Sequence, residues 1–194
     1  MSIAAQPEVE VRKKLTPDDV YEMLCDGRLD PDAFFELDDG ELIELAPVIG
    51  DHGAREVSIS GPLYVFARKA GGRVFASSTG FMVGPSFRQL RSPDVAYIGP
   101  GRLQDSYPRF IHGAPDLAVE VLSEGQHGEA YAKSKVREYF EAGAQLVWLV
   151  DMRRQEVRVY RPGSDEITRM RGKATLTLDP IIAGFELVVA DIFR

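Results

Sequence analysis

Alternation of apolar and polar positions is clearest between Pro115 and Asp151. Leu117, Val119 and Val121 fall on one face of a strand, and Asp116, Ala118, Glu120 and Leu122 on the other. A helical stripe follows over roughly residues 129–142, carried by Ala132, Val136, Tyr139 and Phe140, and Gly143 is a natural stop. Gln145 to Val150 is a continuous apolar run, as expected of a strand covered on both faces. The stretch therefore reads as strand, loop, helix, strand. Two residues break its pattern. Glu120 sits mid-strand among small and apolar neighbours, and Lys135 lies three after Ala132 and four before Tyr139, on the inward face of the helix. A carboxylate in such a place is costly unless a cation meets it.

The same patterns organise the rest of the chain. Residues 1–14 are polar and look unanchored. Thr16 caps a helix that Pro17 opens, with Asp18 and Asp19 in its first turn and Leu15 and Val20 spaced for a hydrophobic staple. Phe34 to Leu45 reads as a hairpin turning at Asp39-Gly40. Ile59, Leu63, Phe66 and Ala70 give a second helix from about Asp51, which Pro62 should kink or truly begin and Gly71-Gly72 should end. Short strands are expected over 73–77, 80–83 and 94–98, with turns over 85–93 and a loop over 99–114. After Asp151 come a hairpin to 156–160, short strands over 166–170 and 175–178, and an apolar C-terminal strand with a helical turn. The expectation is an α+β (α/β-like) domain spanning 1–194: a mixed sheet flanked by helices, ending in an antiparallel meander.

Composition adds little beyond an ordinary globular domain: 44% hydrophobic and 27% charged residues. A single cysteine, Cys25, leaves no intrachain disulfide and no cysteine metal cluster. No apolar run approaches the ~20 residues of a membrane span, and no leader is evident, so a cytoplasmic protein is expected. Charge changes the picture more. The net charge of −7 argues against a nucleic-acid partner, but fourteen acids and four bases fall within residues 1–51. That is a local −10, which leaves +3 for the part containing Glu120 and Lys135.

Asp94 follows a proline at the start of a strand, in RSPDVAYI. Two carboxylates from neighbouring strands, Asp94 and Glu120, can hold Mg²⁺ or Mn²⁺ through hard oxygen ligands. A lysine beside them, Lys135, can position a water or balance charge on a phosphate. The competing explanation is a buried Glu120–Lys135 ion pair, with Asp94 an ordinary strand-start residue. Asp116 rivals Asp94, but at strand rise it sits ~13 Å from Glu120. Glu36, Glu41 and Glu44 on the hairpin are candidates for a further acid. Lys133, Arg137, Arg153 and Arg154 are candidate phosphate contacts. His52, His112 and His127 show no metal spacing, and surface or capping roles are expected of them. Trp148 is expected in the core.

With these residues in place, FELDDGELIELAP, RSPDVAYI, APDLAVEVLS, KVREYFEAGAQLVWLVD, EVRVYRPG and AGFELVVADIF together resemble the Uma2 family, within the PD-(D/E)xK nuclease superfamily. The resemblance implies a restriction-endonuclease-like fold and metal-dependent phosphodiester cleavage, DNA before RNA. It gives Asp94 the place of the PD aspartate, Glu120 that of the next acid, and Lys135 that of the lysine. The superfamily pattern would set a lysine two residues after the acid, where Leu122 stands, and the loop SEGQHGEAY carries Glu124 and Gln126 instead of the usual proline and aspartate. A homodimer through the apolar C-terminus is a further expectation, since it would set two sites side by side. The alternative is a catalytically inactive module that keeps the fold and binds nucleic acid.

Overall fold

In a computed structural model, residues 14–122 and 129–194 are described, without the side chains of 129–132. The expectations for residues 1–13, for the loop 123–128 with Glu124, Gln126 and His127, and for the Ala132 side chain lie outside the described residues.

Helix α1 (Pro17–Cys25) begins as its sequence dictates. The Thr16 side chain accepts the Asp19 N–H, and Asp19 accepts the Thr16 N–H at 2.8 Å. Leu15 packs beside Val20 in a small cluster with Leu37 and Leu90. Strands β1 (Phe34–Asp38) and β2 (Glu41–Leu45) form the hairpin. Asp39 and Gly40 both take positive φ at its tip, as a tight turn of matching twist requires.

Helix α2 (Gly50–Ala70) runs through Pro62 instead of starting there. The residue before a proline is kept from helical geometry mainly by a clash with its Cβ, and here that residue is Gly61. The helix ends at Gly71, after which Gly72 takes φ 94°, and the Tyr97 ring fills the space a Cβ there would need.

The main sheet has six strands: β3 (Arg73–Ala76), β6 (Val95–Ile98), β8 (Leu117–Leu122), β9 (Leu146–Asp151), β10 (Glu156–Tyr160) and β11 (Thr168–Arg171), in the order β11-β10-β9-β8-β6-β3. Only β8 and β9 run parallel, joined across one face by α3 (Glu129–Glu141). Their near-continuous apolar character follows from burial on both faces. One face packs Leu117, Val119, Val121 and Trp148 against Ile59 and Leu63 of α2. The other packs Ala118, Val147 and Leu149 against Val136 and Tyr139 of α3.

A second sheet, absent from the sequence reading, adds β4 (Phe81–Val83), β5 (Gln89–Arg91) and β7 (Ile111–His112) to the hairpin, in the order β2-β1-β5-β4-β7. It places β5 and β7 where turns and a loop were expected, because three- and two-residue strands leave no period to read. The C-terminal meander ends in β12 (Thr175–Leu176), β13 (Leu187–Val188) and α4 (Val189–Ile192). Leu187, Val189 and Ile192 are buried in the chain's own core. The apolar C-terminus is thereby spent inside the molecule, which removes the reason for expecting it to form a dimer interface. Among the described residues, no helix is long and apolar enough to cross a membrane.

Asp116, the rival acid, is consumed by the fold. It accepts the Gly99 N–H at 2.8 Å, Arg102 Nη1 at 2.9 Å and Gln145 Nε2 at 2.8 Å, tying the Gly99–Arg102 turn and the segment before β9 to the start of β8. Asp116→Ala is expected to cost about 2–3 kcal/mol in urea unfolding, because a buried N–H and a guanidinium lose their acceptor. Calorimetric Mn²⁺ binding should stay at the wild-type value.

Candidate active site

Strand register builds the centre of the site. Val95 of β6 opposes Val119 of β8, so Asp94, one residue before β6, comes level with Glu120. Its carboxylate then links three segments. Asp94 Oδ2 accepts the Val121 N–H at 2.5 Å, and Oδ1 lies 3.1 Å from His52 Nε2 on α2. Glu56, one helical turn further along, brings its Oε1 within 3.2 Å of the same nitrogen. Glu120 points to the α3 face, where Tyr139 donates to it at 2.6 Å and Lys135 Nζ at 3.2 Å. Lys135 also reaches Glu36 of β1, at 3.1 Å. Behind Glu36 lies Arg91 of β5, fully buried, with Glu138 at 2.7 Å and Asp38 at 2.8 Å. Glu36, His52, Ser92, Asp94, Glu120 and Lys135 line a cleft of about 130 Å³.

The electrostatics are those of acids crowded into a place with little water. Burial pushes the Glu120 carboxyl up to about 7; Lys135 opposes this, and the nearby Asp94 and Glu36 charges add to it. Burial and the Glu120 charge hold the Tyr139 hydroxyl well above its usual range, so it remains a donor. Burial works against a charge on His52, yet Asp94 and Glu56 beside the ring raise it to about 9. His52 is therefore a cation at neutral pH in the metal-free protein. His52, Glu56 and Asp94 each offer a ligand atom, all within 4.8 Å of one another. Carboxylate oxygens with one imidazole suit Mg²⁺ less and Mn²⁺ better than oxygen alone. Three ligand atoms within one ion's reach fit a divalent cation, whose arrival would require His52 to give up its proton.

Of the residues singled out in the sequence, Asp94, Glu120 and Lys135 come together in the cleft. Glu41 and Glu44 do not: both are exposed, Glu41 at the hairpin tip opposite Asp38 and Glu44 opposite Phe35. The hairpin acid that reaches Lys135 is Glu36, on the face of β1 turned toward β5 and α3. Lys133 is exposed, and Arg137 is exposed with Glu141 at 3.8 Å. His52, expected at the surface or as a cap, is buried and lines the cleft, and Glu56 was not singled out. The signal available was their i, i+4 spacing, which sets both on one side of α2. His112 is exposed, its ring 4.0 Å from that of Phe87, and Trp148 is buried as expected.

Comparison with known proteins adds three findings. No curated protein matches the chain. A solved structure described as "a putative nuclease belonging to DUF820 from Anabaena variabilis ATCC 29413" superposes with a TM-score of 0.75 at 20% identity, covering 92% of this chain and 97% of that one. At that identity the likeness speaks for the fold, an α+β arrangement of mixed sheets and helices. The family model Uma2, described as "Putative restriction endonuclease", matches residues 18–190, a span that includes every residue of the cleft. The chain belongs to the Uma2 family.

Proposed function

We propose that the chain is a divalent-metal-dependent endonuclease that hydrolyses phosphodiester bonds of DNA. Asp94 and Glu120 would hold the ion and Lys135 would face the scissile phosphate. The observation that carries this reading is convergence: two acids from neighbouring strands stand level in one cleft, with an ammonium 3.2 Å from one of them. The family description supports DNA as the polymer. When bound, Mg²⁺ or Mn²⁺ supplies Lewis acidity at the phosphoryl group and lowers the pKa of a coordinated water.

The chain's own residues do the rest. Lys135 offers positive charge where a phosphate gains negative charge. Tyr139 fixes one Glu120 oxygen by donating to it, which limits the directions the carboxylate can present. The Val121 N–H donates to one Asp94 oxygen, and the His52 ring stands 3.1 Å from the other. Held acids lose less freedom when an ion arrives, which strengthens its binding.

Two outcomes are expected. Purified protein should nick supercoiled plasmid with Mn²⁺ or Mg²⁺ and not with EDTA. Glu120→Ala should abolish the nicking and weaken the Mn²⁺ binding heat; Mn²⁺ binding unchanged in that variant would show that Glu120 does not hold the ion. Metal-independent DNA binding without nicking would instead favour the inactive module.

Lys135→Met keeps the length and apolar stem without the charge. With Mn²⁺ present it should melt within a few degrees of wild type, retain the ion and lose cleavage. A loss of more than ~3 kcal/mol under those conditions would make Lys135 a structural ion-pair partner.

His52 gives a pH signature in EDTA. Its folded pKa, about 9, lies above the ordinary 6.5, so its stabilisation is fully present below pH 6.5 and is lost as pH rises through about 9. Urea unfolding of wild type should weaken across that window by on the order of 2–3 kcal/mol, and His52→Gln should flatten the profile.

A further inference from the structure

The face of the main sheet that carries Glu120 carries a second charged group, on its far strands. Glu120 opposes Leu149 of β9, Leu149 opposes Arg158 of β10, and Arg158 opposes Arg169 of β11. The neighbouring row on that face is Leu122, Asp151, Glu156 and Arg171. At a strand spacing of ~4.8 Å, Arg158 and Arg169 stand about 10 and 14 Å from Glu120 along its own row.

These arginines are fixed in place. Arg158, itself buried, joins both acids, with Nε 2.9 Å from Glu156 Oε1 and Nη2 3.0 Å from Asp151 Oδ2. Arg154 adds a bond to Asp151 at 2.9 Å. Arg169 and Arg171 bond the two oxygens of Glu156, at 2.8 and 2.5 Å. Four guanidiniums thus stand on two carboxylates, an excess of two positive charges. Arg158 alone already meets both acids, so the other three exceed what the buried carboxylates require. Arg154, Arg169 and Arg171 have side chains 61%, 48% and 59% exposed. Each guanidinium has five N–H donors and spends only one or two on its carboxylate. Charges that merely discourage pairing along the β11 edge would not need this fixing. Guanidiniums locked by a buried carboxylate, with outward donors, are arranged to take a second anion bidentately.

We propose that Arg154, Arg169 and Arg171 form a phosphate-backbone subsite for DNA, on the same sheet face as the cleavage cleft and separate from it. Arg169, the subsite residue on the Glu120 row, stands about 14 Å from it, about four base-pair rises along the axis of B-form DNA at ~3.4 Å each. The subsite would grip the backbone to one side of the bond being cut, so it gives affinity and placement without reading bases. It explains how a chain of net charge −7 can hold a polyanion: the positive charge is local and pre-oriented. The proposal rests on the cleft being a DNA-cleaving site.

Binding of a short fluorescent DNA duplex, read by anisotropy in EDTA over a range of salt, tests it without cleavage. Arg169→Gln/Arg171→Gln leaves Glu156 paired with Arg158, and a thermal melt checks its fold. This variant should bind at least about tenfold more weakly at 0.1 M salt, with the log–log salt slope reduced by about two. Arg154→Gln, which leaves Asp151 paired with Arg158, should reduce the slope by about one. Arg68→Gln/Lys69→Gln makes the same change in net charge at the end of α2, on the other face of the sheet, and should keep the wild-type slope. A wild-type slope in the folded Arg169/Arg171 variant, or an equal loss in the α2 control, would overturn the subsite. Plasmid nicking by wild type with Mn²⁺ is scored separately. Its absence would sink the nuclease reading, whereas unchanged binding alongside intact nicking would sink only the subsite.

Discussion

Everything around the cleft follows from one constraint: carboxylates gathered at the end of β8, where water is scarce, must be met by cations. Glu120 cannot leave, because its register places it level with Asp94 while Val119 and Val121 fill the opposite face. The fold answers with a cation from each side. His52 comes from α2, Lys135 from α3, and Arg91 from β5 behind Glu36. Each arrives on a different element, so the acids tie both helices and the second sheet to the centre of the main sheet. Burial, with the Asp94 and Glu36 charges, still holds the Glu120 carboxyl up to about 7 with Lys135 beside it. A divalent cation would complete the balance that these side chains begin.

The part of this arrangement legible in the sequence is the part set by local period. Strand alternation alone puts Glu120 opposite to Val119 and Val121, and helical spacing alone puts Lys135 on the stripe of Val136 and Tyr139. Both residues betray themselves by being charged where the period calls for apolar side chains. Asp94 betrays itself differently, as the residue between a proline and a buried strand. None of these inferences needs to know which strands are neighbours.

Glu36 and His52 needed that knowledge. In the hairpin, Glu36, Glu41 and Glu44 look alike, and only one faces inward. What separates Glu36 is that Leu37 pairs with Leu90 of β5, which turns the opposite side of β1 toward Arg91 and Lys135. Strand β5 has three residues, too few for alternation to announce it. His52 stands at the start of α2, where an exposed capping residue is the ordinary expectation. It is buried because the helix begins against the start of β6, a packing fact that no window of sequence contains. The C-terminus shows the converse: an apolar run that reads as a surface for another copy is spent filling the chain's own core beside Trp148.

The placement of the lysine shows what the chemistry requires and what it leaves open. Two residues after Glu120, on the same face, stands Leu122, so no ammonium can come from the strand itself. Lys135 instead descends from α3, and its Nζ still reaches Glu120 at 3.2 Å and Glu36 at 3.1 Å. A phosphate entering the cleft would meet a positive charge near the acids; it has no means of sensing which element supplied that charge. Moving the lysine to a helix therefore preserves the electrostatics while freeing the strand position for an apolar side chain. It also binds the site to the docking of α3: Val136 and Tyr139, one and four residues on, seat the helix in the core and in doing so set the height of the ammonium. Tyr139 adds a direct link, since the residue that seats the helix also donates to Glu120. In this chain the geometry of the cleft and the packing of α3 are one constraint, which ties any loosening of that helix to both stability and the position of the charge.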